Sequence, residues 1–141
     1  MNNYLLIRNK DNEAYAIDID GKDVLLGDSI IKYFEDKCND HLSTYEGRIK
    51  ACKKVLNISQ KAPLLISELT MELWFPTLSD KKKENIWINY NEVLNFISKS
   101  SYETLITYKS GYKYIVPFNY RIIKNQMDRC KKLLERLISN N

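Results

Sequence analysis

The side chains able to do covalent or metal chemistry are few and poorly spaced for it. The only histidine, His41, stands between Cys38 and Cys52, and Cys130 is the third and last thiol. No C-x-x-C occurs, and the Cys38–His41–Cys52 spacing fits no zinc pattern. The cysteines read as plain buried thiols of a reducing compartment. Asp18 and Asp20 form the closest i, i+2 carboxylate pair. At a strand end such a pair can hold Mg²⁺ in a nuclease-like site, but a solvated strand end entering an Asp-Gly turn explains it better. The four glycines, Gly21, Gly27, Gly47 and Gly111, are isolated, which excludes a Walker loop and a dinucleotide G-x-G-x-x-G. No serine sits in a G-x-S-x-G elbow. The chain is expected to be no enzyme and to carry no metal or cofactor.

Cations are the remaining functional resource. The net charge of +4 hides an asymmetry: residues 1–42 hold 5 Lys/Arg against 9 Asp/Glu, and residues 43–141 hold 17 against 9. A basic majority behind an acidic start fits an anionic partner. The duller reading is that a chain rich in Asn, Ile, Lys and Tyr reflects base composition, and its pI near 8.8 lies below the ~9 usual for nucleic-acid domains. Three cationic clusters stand out. On a helix beginning at Ser43, the face opposite the apolar one carries Gly47, Lys50, Ala51 and Lys54, small and basic enough to approach a phosphate backbone. Arg48 lies at the edge of that helix's apolar face, within reach of either an anion or a structural carboxylate. Lys81, Lys82 and Lys83 offer three cations on a polar loop, and the outer face of the last helix adds Arg121, Lys124, Arg129, Lys132 and Arg136. Each cluster also fits a plain solvated surface.

The elements that must position these groups follow from apolar periodicity. Residues 4–8 and 14–19 read as a β-hairpin around the turn Asn9–Asn12, followed by a second turn at Asp20-Gly21. A helix is expected over 28–38, capped by Asp28, with Ile30, Ile31 and Phe34 as its apolar stripe. Ser43 and Glu46 form a capping box opening a helix to about Leu56, with Tyr45, Ile49, Cys52 and Leu56 facing the core. Short strands follow at 64–66, 71–75 and 86–88. Pro76 ends the second of these, or with Thr77 folds the loop that carries the lysines. Residues 105–108 and 112–116 flank Lys109-Ser110-Gly111 as a hairpin. Segment 119–139 is a long amphipathic helix with Ile123, Met127, Cys130, Leu134 and Leu137 inward, widened by Ile122, Leu133 and Ile138. Most tyrosines sit at strand positions and, like Trp87, are expected in packing instead of base stacking. The expected fold is α+β: an N-terminal β-hairpin, two helices, an antiparallel β-sheet block and a long C-terminal amphipathic helix, in a single domain over 1–141.

Four motifs, in this order and spacing, carry a resemblance: Tyr45-Glu46-Gly47-Arg48, Pro63-Leu64-Leu65-Ile66, Phe75-Pro76-Thr77-Leu78-Ser79 and Trp87-Ile88. Together they resemble the competence transcription factor (ComK) family over roughly residues 42–137, with the first 40 residues matching poorly. The chain also stops soon after its last helix, where well-matched members continue into a longer tail. The resemblance implies a bacterial cytosolic activator of DNA-uptake genes. Such a protein acts as a homo-oligomer on paired AT-rich boxes of double-stranded DNA, reads them largely from the minor groove, and is controlled by a proteolytic adaptor protein. Narrow AT-rich minor grooves attract Arg and Lys without base-specific hydrogen bonds, so the DNA contact is expected from Gly47, Arg48, Lys50, Lys54, Lys81, Lys82 and Lys83. The alternative is a protein-interaction module, seated on the apolar arc of the last helix (Ile122, Leu133), or a divergent paralogue without DNA binding. No apolar run approaches the ~18 residues that span a bilayer, and Met1 to Lys10 lacks the order of a signal peptide. A cytoplasmic location and no membrane partner are expected.

Overall fold

Two-residue turns and alternating side chains build the first sheet. In the computed structural model, which describes residues 3–139, β1 (Leu6–Lys10) and β2 (Glu13–Ile17) pair antiparallel with Lys10 opposite Glu13. The turn is therefore only Asp11 and Asn12, both at positive φ (52° and 63°), the conformation that Asp and Asn tolerate in a tight hairpin. The next turn is fastened by Asp18, whose carboxylate accepts the Asp20 and Lys22 amides at 2.9 and 3.0 Å. That carboxylate is occupied by its own backbone, as its turn role requires. Gly21 there has φ +83°, and a Cβ on it would lie 2.6 Å from the Tyr112 ring, so no larger residue fits. A third strand, β3 (Asp23–Gly27), closes the meander. Sequence periodicity missed it because an edge strand exposed on alternate residues carries a weak apolar signal.

Helix α1 (Ile30–Asn39) is capped by Ser29, which accepts the Lys32 amide, and not by Asp28. It buries Ile30, Phe34 and Cys38, one residue per turn. Helix α2 (Tyr45–Leu56) is capped by Thr44 instead of Ser43. Ser43 is used earlier: its amide donates to the Cys38 carbonyl at 3.0 Å, and Leu42 before it stands at φ 59°. The reversal between the helices thus consumes the residue that the capping-box pattern assigned to the cap. Tyr45, Cys52 and Leu56 are buried and Ile49 half-buried, as the spacing predicts.

Strands β4 (Leu64–Ser67), β5 (Glu72–Pro76) and β6 (Ile86–Asn89) complete the sheet, and β6 pairs with β1 (Leu6 opposite Ile88, Ile7 opposite Trp87). The order is β3-β2-β1-β6-β5-β4, antiparallel throughout. The N-terminal hairpin and the central strands are one sheet, not two blocks. Both faces of that sheet are covered. Ile7, Leu64, Ile66, Trp74 and Trp87 lie with Phe34 of α1 on one side. Leu6, Leu65, Leu73, Phe75 and Ile88 lie on the other, against α3 (Tyr120–Ser139) and a second sheet. Two-sided burial explains why β4 and β6 are continuous apolar runs with no alternation. The second sheet, β7 (Val93–Ser100), β8 (Glu103–Tyr108) and β9 (Lys113–Val116), is covered on one face only, and β8 alternates accordingly.

α3 buries Ile123, Gln126, Cys130 and Leu133, with Ile122, Met127, Leu134 and Leu137 half-buried beside them. The apolar arc is thus spent inside the molecule, and only Ile138 at its end stays exposed. The docking surface suggested for a protein-interaction module on Ile122 and Leu133 is therefore corrected: Leu133 is buried in the core and Ile122 is half-buried against it. All three cysteines are buried and unpaired, and burial pushes the Cys38 thiol up to about 11.

Candidate nucleic-acid interface

The lysine loop is shaped at its base by a buried polar clasp. The Asn85 side-chain oxygen accepts the Thr77 and Leu78 amides, each at 2.9 Å, and the Thr77 hydroxyl at 3.2 Å. Thr77 Oγ1 in turn accepts the Ile86 amide at 3.0 Å. Pro76 and Thr77 thus do both things the sequence allowed: they end β5 and they close the loop. The span between carries Lys81, Lys82 and Lys83, all exposed. The Asn9 side chain donates to the Lys83 carbonyl at 3.2 Å, and the Tyr45 hydroxyl donates to the Asp80 carboxylate at 2.6 Å. The loop is therefore tied to β1 and to the first turn of α2. Burial and the Asp80 charge hold the Tyr45 phenol neutral far above its ordinary range.

On α2 the four expected residues divide into two kinds. Lys50 and Lys54 are exposed and take part in no ion pair among the described residues. Arg48 is spent: it forms a two-pronged ion pair with Glu68, its side chain only 16% exposed. The Arg48 guanidinium holds the Glu68 carboxyl below the usual carboxylate range. Of the two partners the sequence allowed it, Arg48 has the structural carboxylate. Gly47 donates its amide to Thr44 Oγ1 at 3.0 Å, and a Cβ on it would lie 2.8 Å from that oxygen. Its smallness serves the helix's own cap.

Convergence of cations does occur, through residues the sequence reading passed over. Tyr45, Ile49 and Lys53 form one row of α2 at four-residue spacing, and this row lines a cavity of about 240 Å³. The other walls come from the 60–62 segment with Lys61, from Pro76, and from Ser79, Asp80 and Lys81. Lys53, Lys61 and Lys81, from three chain segments, thus line one cavity, while Lys50 and Lys54 are not among its lining. A second cavity of about 170 Å³ lies on the other side of the lysine loop, between Lys81–Lys83 and the start of α1.

α3 holds this assembly from below. The buried Gln126 donates to the Lys61 carbonyl at 2.9 Å and the Pro76 carbonyl at 2.7 Å, and its own oxygen accepts from Arg129 at 3.1 Å. Arg129 also donates to the carbonyls of Gln60 and Lys61, each at 3.1 Å. Lys61 sits at φ 57° under these bonds, and burial together with the nearby Arg129 charge pushes its ammonium pKa down. Of the basic strip on α3, Arg129 is taken by carbonyls and Lys124 by Asp128 at 3.0 Å. Arg121, Lys132 and Arg136 stay exposed.

The row 45–49–53 was open to detection, since four-residue spacing from two apolar core positions ends on a lysine. Lys61 and Gln126 had no such signal. Among the described residues, no group of three or more His, Cys, Asp or Glu is placed to hold a metal ion, and no helix is long and apolar enough to cross a membrane.

No curated protein and no solved structure matches the chain significantly. The family model described as ComK protein matches residues 5–140. That match takes in β1–β3 and α1, ahead of the stretch that carries the sequence resemblance, in keeping with the single sheet that joins β1 to β6. With nearly its whole length matched, the chain belongs to the ComK protein family.

Proposed function

We propose that this protein is a DNA-binding transcriptional regulator of the competence-activator kind, working in a bacterial cytoplasm on double-stranded AT-rich promoter boxes of DNA-uptake genes. Lys50, Lys54, Lys81, Lys82 and Lys83 make the outer phosphate and minor-groove contacts. Arg48 and Gly47, expected in that contact from sequence, instead keep α2 in shape. The observation that carries the reading is the state of these five lysines: all are exposed and none is neutralised by a carboxylate among the described residues. Cations left without partners release DNA counterions on binding, which makes affinity fall steeply with salt.

On this reading the protein acts as a homo-oligomer and a proteolytic adaptor controls its level, as the family resemblance implies. The exposed face of the second sheet offers an apolar row for self-association, with Ile97, Leu105 and Ile115 directly opposite one another on β7, β8 and β9. Ile97 and Ile115 are 54% and 43% exposed, and aligned apolar side chains of this kind mark contact surfaces.

Fluorescence anisotropy with AT-rich and GC-rich duplexes tests the reading. The AT-rich duplex is expected to bind more tightly, with a steep salt dependence, and Lys50→Ala/Lys54→Ala to lower the log–log slope by about two units. A protein that ignores both duplexes, while light scattering still reports self-association, is an interaction module and not a regulator of this kind.

A further inference from the structure

The cavity walled by Lys53, Lys61 and Lys81 has a chemistry of its own. Three lysines, from α2, the 57–62 loop and the 77–85 loop, line one space of about 240 Å³, several times the ~30 Å³ share of a water molecule. None of the three forms an ion pair among the described residues. The one carboxylate in the wall, Asp80, accepts the Tyr45 hydroxyl at 2.6 Å, and Arg129 adds a further positive charge beside Lys61. Three lysines thus share the wall with one carboxylate, and burial bears on the Lys61 ammonium, so an anion that enters meets a net positive charge.

The walls are also fixed in advance. Gln126 and Arg129 hold the Lys61 carbonyl at 2.9 and 3.1 Å, the Tyr45–Asp80 bond fixes the lysine loop to α2, and the Thr77–Asn85 clasp closes that loop. A preorganised site gives up little conformational freedom when it binds. Lysine donors suit a phosphate as point charges. The aromatic rings in the wall are core residues, Tyr45 at 7% and Trp87 at 1% exposure, so they offer no face on which a base could stack.

We propose that this cavity is a seat for one phosphate group, held by Lys53, Lys61 and Lys81. The group comes from one of two sources: a backbone phosphate of bound DNA, in which case the inference rests on the DNA-binding reading above, or phosphate free in solution.

Amide NMR of the full chain decides, with inorganic phosphate replacing chloride at constant ionic strength. Saturable shifts are expected at residues 53, 61 and 81. Lys61→Gln is expected to weaken phosphate binding about tenfold or more, while Lys132→Gln, an exposed lysine of α3 outside this cavity, leaves it unchanged. Displacement of phosphate by an AT-rich duplex assigns the seat to a DNA phosphate, and duplex binding without displacement assigns it to free phosphate. Shifts that are the same in phosphate and chloride overturn the proposal, as do equal losses in Lys61→Gln and Lys132→Gln. If Lys61→Gln fails to fold, the phosphate-against-chloride comparison on the wild-type chain decides alone. Absence of any duplex binding removes the DNA reading and leaves the phosphate titration to judge the seat.

Discussion

Residues 1–42 and the remainder of the chain use their cations in opposite ways. In the first region four of five are in ion pairs: Arg8 and Lys10 both reach Asp23 at 2.8 Å across β2, Lys32 reaches Asp36, and Lys37 reaches Glu72. Glu72 also accepts the Trp74 indole N–H at 2.9 Å, so Lys37 ties α1 to β5. Beyond residue 42, of seventeen cations, only Arg48 and Lys124 are paired among the described residues. The net charges alone do not reveal this. The acidic region balances its cations locally and spends them on holding strands and a helix together, and the basic region leaves most of its lysines without a carboxylate partner among the described residues. Unpaired charge is available to a ligand, and paired charge is not.

The comparison sharpens most where α3 props up the basic region. Gln126→Leu removes the side-chain donor to the buried Pro76 carbonyl and one of the two to the Lys61 carbonyl, which keeps Arg129, and should cost roughly 1–3 kcal/mol in urea unfolding. Loss of stability with no effect on duplex affinity would show that Lys61 has no part in binding. A smaller effect is expected at the one paired cation of α2. Arg48→Met should lower stability by about 1 kcal/mol, since its side chain is mostly buried, while leaving the salt slope of DNA binding unchanged; a slope lowered by one unit would return Arg48 to the interface.

The smallest effect belongs to the acidic region. Hydrogen bonds from Lys10 and then Arg8 hold the Asp23 carboxyl below its usual range. A carboxyl with a depressed folded-state pKa stabilises the fold above its unfolded value near 4 and loses that contribution as pH falls through the folded value. Asp23→Asn should therefore lower the melting temperature slightly at pH 7 and leave it unchanged near pH 2. Solvent exposure of the pair keeps the difference small, and equal losses at both pH values would place the effect of Asn elsewhere than in the charge.

Legibility in the sequence followed the range of the interaction. The first hairpin, whose turn was expected over Asn9–Asn12 and narrows to Asp11-Asn12, the 45–49–52–56 face of α2 and the α3 stripe are local patterns and were legible, give or take a cap. Strand β3 was hidden because its pattern is weak at a sheet edge, and the β1–β6 pairing because it joins residues some eighty positions apart. The Lys81–Lys83 run was visible as a run. Its meeting with Lys53 and Lys61 was not, since that depends on Tyr45 bonding to Asp80 and on Gln126 reaching two separate loops. Arg48 could be read only as a choice between two partners, because Glu68 is twenty residues away.

The most direct measurement compares two triple variants on one AT-rich duplex across a salt series. Lys81→Gln/Lys82→Gln/Lys83→Gln should lose about 2.7 units of log–log slope, and Lys10→Gln/Lys32→Gln/Lys37→Gln, which removes equal charge from paired positions, should keep the wild-type slope. Equal losses in the two would mean that net charge alone drives binding, and the distinction between paired and unpaired cations would fall.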